Sequence, residues 1–284
     1  MPTNDPKPTK ADRRDAARAK AQALRAEQLK REQRRRVYLV SAAVAILAVI
    51  AIVVVAIIGT SGEKSLATVA TPAGATANAG IPIGPDGVAG KAIPAGAVVV
   101  DLYTDFMCPV CGAFEQQNGA DLDALTKAGT ATIVYHPIAI LDGSSNGTNY
   151  STRAAQAAAV VADQDPAHYL AFDEALFANQ PAENTSGLTN GQIEQIAQGV
   201  GVPSSVTATF ADGKFVDWVK AATLQASKDG VSGTPTVKIN GKVFGGNWQT
   251  AGELKAAIVA AGGSASGAAS STPSASSTPS PSAS

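Results

Sequence analysis

The sequence predicts an α/β domain, a mixed sheet with a helical insertion, set behind a single transmembrane helix. Three observations predict it. The middle of the chain reads strand–helix, strand, a long Ala-rich helical stretch, then strand–strand–helix, the order of a sheet with helices packed on it. Its two cysteines, Cys108 and Cys111, stand together where the first strand runs into the first helix. An apolar run without a charged residue, 37–58, precedes all of it.

The first 36 residues carry 12 Lys and Arg against 5 Asp and Glu, while the rest carry 10 against 18, so a net charge of −1 conceals a basic tail on an acidic body. A tail of this kind is not a nucleic-acid-binding face, and no nucleic-acid partner is expected. At about 1.5 Å per residue the run 37–58 is roughly 33 Å long, enough to cross a hydrocarbon core of about 30 Å. Lys30, Arg31, Arg34, Arg35 and Arg36 abut it. Clustered basic residues stay cytoplasmic, so residues 1–36 are expected inside and everything from 59 onward outside the cell membrane. A cleaved signal peptide is the alternative, but its apolar region spans only about 7 to 15 residues. A retained single-pass anchor is therefore expected.

Residues 59–91 are rich in Gly, Ala, Thr and Pro without apolar periodicity, which reads as a tether. Residues 263–284 use almost only Ala, Gly, Ser, Thr and Pro, a composition that cannot offset the entropy of ordering, and a disordered tail is expected.

Between them lies one globular unit, 92–262. Residues 97–104, β-branched and short, read as a buried strand. Phe114, Leu122 and Leu125 recur at helical spacing over 112–128, and 130–135 read as a second strand. A helical insertion follows over 148–229, broken by loops near 181–189 and 199–204. Thr236-Val-Lys-Ile, the pair Asn240-Gly241 and Lys242-Val-Phe read as a hairpin, because an Asn-Gly turn suits the twist of two short strands. A helix over 250–261 closes the unit. With only 5% aromatic residues, a core built on large rings is not expected.

The cysteine spacing carries the chemistry. Residues i and i+3 on a first helical turn lie close enough for a disulfide, whose Cα atoms must be about 4.4 to 6.8 Å apart. Closing a loop of about four residues stabilises on the order of only 2 kcal/mol, so the bond is better placed to be made and broken than to staple. Pro109 suits the first helical position and leaves Cys108 at the N-cap, facing the amides of Val110 and Cys111. Those amides and the helix dipole lower the thiol's pKa below its free value of about 8.5. Cys108 is the expected nucleophile and Cys111 the buried resolving partner.

Three other readings stand beside this one. A zinc site needs four ligands, and only His136 and His168 could join the cysteines. A copper(I) site of Cys108, Cys111 and Met107 fits ligand softness. An inert disulfide is the third. His136, before Pro137, reads as a surface or capping histidine. In Val231-Ser-Gly-Thr234-Pro235-Thr236 a proline stands directly before a strand, where a missing N–H is awkward. Only about 5 to 6% of X–Pro bonds are cis, so the residues alone leave that bond open.

The combination of Thr104-Asp105-Phe106-Met107-Cys108-Pro109-Val110-Cys111 after a hydrophobic strand, a helical insertion, and Gly233-Thr234-Pro235-Thr236 leading into a hairpin with Gly245-Gly246 resembles the DsbA-type thiol-disulfide oxidoreductases of the thioredoxin superfamily. More narrowly it resembles membrane-anchored DsbA-like proteins of actinobacteria, to which Tyr150-Ser-Thr-Arg-Ala-Ala and Phe172-Asp-Glu-Ala-Leu-Phe-Ala-Asn-Gln-Pro are also similar. The resemblance implies a thioredoxin-like fold and a cis Pro235 beside the cysteines, with Thr234 backbone groups pairing with an extended polypeptide. It implies a dithiol oxidase that acts on reduced secreted polypeptides with no cofactor, reoxidised by a quinone-linked membrane partner. A reductase, an isomerase or a non-enzymatic copper-binding module are the alternatives. Such proteins often place an acid six residues before the first cysteine. Here that position is Leu102, and Asp101 beside it should point to the opposite face of the strand. Asp105 matches the acid just before the active site, and could equally serve as a turn residue.

Overall fold

The structure is a computed structural model that describes residues 64–268. The expected spanning segment 37–58, the basic tail and residues 269–284 lie outside the described residues. Among the described residues no helix is long and apolar enough to cross a membrane.

Five strands form one mixed sheet: β1 (Ile81–Pro82), β2 (Val98–Thr104), β3 (Ala131–Pro137), β4 (Thr236–Ile239) and β5 (Lys242–Val243), in the spatial order β1-β3-β2-β4-β5. β2 and β3 run parallel, joined by helix α1 (Pro109–Lys127), while the other pairs are antiparallel. Asn240 and Gly241 both have positive φ, 48° and 76°, which is the backbone the expected Asn-Gly hairpin needs.

This pairing places the site. The chain leaves β2 at Thr104 and enters α1 at Pro109, so the cysteines lie beyond the carboxyl end of a central strand. β4 runs the other way, and its first residue, Thr236, pairs with Tyr103. Residues 234 and 235 are thereby brought beside the turn that holds the cysteines, although 126 positions separate Cys108 from Thr234.

The insertion comprises α2 (Tyr150–Gln164), α3 (Tyr169–Ala178), α4 (Asn190–Gly199), the single turn α5 (Ser204–Thr207) and α6 (Val216–Lys228). α2 is its axis, with Ala154, Ala155, Ala157, Ala158, Ala159 and Ala162 all buried, since neighbours pack around it and small side chains let them approach. The few large rings are concentrated inside: Trp218, Tyr150, Tyr169, Phe106, Phe114, Phe172 and Phe215 are fully buried. The core is thus more aromatic than composition suggests, because rings that are scarce in the chain are almost all spent on its interior.

Two boundaries differ from expectation. The stretch read as a tether folds onto the domain from residue 64: Ile81 pairs with Tyr135, Ile83 N–H donates to Ile133 O at 3.0 Å, and Ala79, Ile81, Ile83 and Ala89 are buried. Its glycines and prolines mask an edge strand of two residues, too short for a periodicity to show. At the other end α7 (Glu253–Ala268) starts three residues later than expected, after Gly252 with φ of 75°, and its backbone continues six residues into the range read as a tail.

Candidate active site

Pro109 occupies the first turn of α1 and Cys108 is its N-cap, in extended backbone conformation (φ −78°, ψ 113°). A proline here loses nothing, because its missing N–H belongs to the turn whose amides have no helical partner. Cys111 N–H and Gly112 N–H donate to Cys108 O at 2.9 and 3.3 Å, closing the turn beneath the sulfur. Both cysteines are free thiols. Cys108 is 7% exposed and Cys111 1%, while Val110 between them is exposed.

Their acidities diverge. The Cys108 thiol is pulled down to about 6, chiefly by a hydrogen bond from Cys111, with help from the Thr234 side chain and the Cys111 and Val110 amides, against the opposing effect of burial. The Cys111 thiol is pushed far up, first by burial and then by the Cys108 sulfur. One turn of helix therefore yields one sulfur that is a thiolate at neutral pH and one that keeps its proton.

The Thr234–Pro235 peptide is cis, as the resemblance implies. Cys108 Sγ–H donates to Thr234 O at 3.4 Å. The Thr234 hydroxyl is buried with no hydrogen-bond partner in the reduced, neutral pair. It stands where a Cys108 thiolate can take it up, which is how it favours the charged form.

Asp105 and Asp101, the two possible acid/base groups, part company. Asp105 is fully buried and accepts hydrogen bonds from Met107 N–H (2.8 Å), Ser151 Oγ–H (2.6 Å) and Leu141 N–H (2.9 Å). Burial raises its carboxyl to about 6, against the pull of those bonds. It is both a turn residue and a buried acid next to the cysteines. Asp101 is taken up by His136, whose Nε2 lies 3.0 Å from its Oδ1. Leu102, not Asp101, faces the main core together with Cys111. His136, by contrast, differs from expectation: it is buried and stacked on Tyr103 with ring centroids 4.2 Å apart, because β2 and β3 set the two rings in register. Met107 is fully buried, and among the described residues no three or more His, Cys, Asp or Glu gather as a metal-holding group.

Sequence reasoning gave no role to two residues that reach the site from the insertion. Ser151 holds Asp105, and Gln180 Nε2 donates to Phe106 O at 3.1 Å and Cys108 O at 2.9 Å. Both lie within stretches similar to DsbA-like proteins, but nothing in their spacing says that they meet the cysteines.

Comparison with known proteins agrees with this geometry. The family described as Thioredoxin (Thioredoxin_4) matches residues 89–260. The reduced crystal structure of DsbA from Mycobacterium tuberculosis is similar at 30% identity and TM-score 0.54, covering 67% of this chain and 99% of that one. The reduced form of the disulfide bond oxidoreductase DsbG from the same organism is similar at 33% identity and TM-score 0.52, over 64% of this chain and 90% of that one. Among curated proteins, the serine/threonine-protein kinase PknE of M. tuberculosis is 33% identical over 146 residues, 49% of this chain. The chain spans only about a quarter of that relative's length (26%). A reactive cysteine pair at a helix N-cap, a facing cis-proline loop and these similarities agree: the chain belongs to the Thioredoxin_4 family and is a thiol-disulfide oxidoreductase of the DsbA type.

Proposed function

We propose that the protein is an extracytoplasmic dithiol oxidase that introduces disulfides into reduced secreted polypeptides. The observation that carries this reading is the split between the sulfurs: Cys108 is held near pKa 6 at a helix N-cap while Cys111 keeps its proton. A stabilised Cys108 thiolate favours the reduced protein, and a dithiol whose reduced form is stabilised is a strong oxidant.

The reaction begins with the Cys108–Cys111 disulfide. A substrate thiolate attacks Cys108 Sγ, the disulfide breaks, and Cys111 leaves and takes up a proton. A second substrate thiolate attacks the substrate sulfur of the mixed disulfide and expels Cys108 as a thiolate. Two electrons pass from two substrate thiols to the protein, which ends with Cys108 as thiolate and Cys111 as thiol at neutral pH, so one proton is released to water. Thr234 offers its backbone beside Cys108 for pairing with an extended substrate. A quinone-linked membrane partner reoxidises the pair, and the run 37–58 serves as the anchor that holds the domain where secreted chains emerge.

The test is the reduction potential of the protein in glutathione buffers, with Cys108→Ser as the inactive control. A potential near −120 mV, about that of strong dithiol oxidases, supports the reading, whereas one near −270 mV, about that of thioredoxin, makes the protein a reductase.

A further inference from the structure

Gln180 lies just beyond the end of α3 at Ala178, far in sequence from the cysteines, yet its carboxamide is applied to the active-site turn. One nitrogen, Nε2, bridges Phe106 O at 3.1 Å and Cys108 O at 2.9 Å. The Cys108 carbonyl is also the acceptor on which the first turn of α1 closes, through Cys111 N–H and Gly112 N–H. The amide thus grips the strand-to-helix junction at the atom that begins the helix.

A second observation comes from the other side of the contact. Gly112 stands inside α1, where glycine is a poorer helix former than alanine. A Cβ at that position would come within 2.6 Å of Gln180 Oε1 and 3.3 Å of its Cδ. The missing side chain is the space the carboxamide occupies. Gly112 and Gln180 fit as a pair, one clearing room for the other.

We propose that Gln180 is a positioning residue for the dithiol reaction, holding the Cys108 turn in the conformation that aims the Val110 and Cys111 amides at the Cys108 sulfur. The inference rests on the reading of Cys108 as the nucleophile. Its physical basis is the short reach of amide and helix-dipole stabilisation, which is confined to the first turn and depends on its alignment. Through this one side chain the insertion controls how acidic, and so how oxidising, the pair is.

The experiment uses the full chain with two substitutions that break the contact from opposite sides. Gln180→Met keeps the length of the side chain and removes its donor. Gly112→Ala improves helix propensity while displacing the carboxamide. For each reduced variant the Cys108 thiolate is titrated by its ultraviolet absorbance, the equilibrium with glutathione is measured, and thermal unfolding is recorded. Both variants are expected to raise the Cys108 pKa by about one unit. Because the stabilisation of the reduced form scales as 1 + 10^(pH − pKa), the glutathione equilibrium at pH 7 should then shift about fivefold toward the disulfide. Folded variants that titrate and equilibrate like the unsubstituted chain overturn the proposal; if Gln180→Met does not fold, Gly112→Ala decides alone. An unsubstituted chain whose Cys108 titrates like a free cysteine overturns the nucleophile reading and this inference with it, an outcome visible before any variant is made.

Discussion

Cys108 is acidic for reasons of two kinds. Its place before Pro109 gives it the helix amides, and its place beside Cys111 and Thr234 gives it hydrogen bonds that favour the thiolate. Its folded value of about 6 lies well below the free thiol's value of about 8.5. The linked stability of the reduced fold is therefore complete above pH 9 and lost as pH falls through 6. Denaturant unfolding of the reduced and oxidised forms should show the reduced form losing ground as pH drops across that window, by at most about 1.4 kcal/mol per pH unit. Equal pH slopes in the two redox states would show that the thiol carries no such shift.

Among the elements, β1 does most to change the picture of the chain. The segment that precedes β2 is attached through buried side chains: Ile81 and Ile83 are each 1% exposed, and Ile81 pairs with Tyr135 on β3. Ile81→Ala should cost about 2 to 5 kcal/mol, seen as a fall in the thermal midpoint, because it empties a fully enclosed site. By contrast Lys64→Ala, which removes the exposed 2.7 Å ion pair to Asp217, should stay within about 1 kcal/mol of the parent. If the two substitutions cost the same, the segment is a tether after all.

Across the whole molecule, the insertion and the sheet meet over a cluster of acids, of which Asp173 is buried, Glu115 half-buried and Glu174 exposed. Asp173 on α3 is fully buried and held well above the usual carboxylate range by burial and by Glu115 and Glu174. Glu115 on α1 is raised to about 7, by burial and then Glu174. Tyr135 and Tyr169 sit in the same acidic surroundings, their rings edge to face at 6.0 Å. Acids whose folded pKa is raised stabilise the fold while protonated, and that stability is lost as pH rises through the folded value. In the oxidised protein, where no thiol titrates, stability should decline from about pH 4 upward, as Asp105 (about 6), Glu115 (about 7) and the raised Asp173 ionise. Asp105→Asn should flatten the lower part of that decline; a profile unchanged by the substitution would show that the carboxyl is not held protonated.

Local chemistry was enough to read much of this. Cys108, Pro109 and Cys111 are three near neighbours on one turn, so their geometry follows from helix dimensions, and β2, α1, the hairpin and the extent of the insertion follow from periodicity and turn residues. What the spacing left open was contact between distant positions: Gln180 against Cys108, Ser151 against Asp105, His136 against Asp101, and the short edge strand at Ile81, while only the family resemblance set the Thr234–Pro235 loop beside the cysteines. The sequence by itself determined that a reactive dithiol opens a helix. Only the tertiary structure decided which side chains surround it, because burial and hydrogen-bond partners depend on how strands and helices pack, and packing joins residues that no spacing along the chain connects.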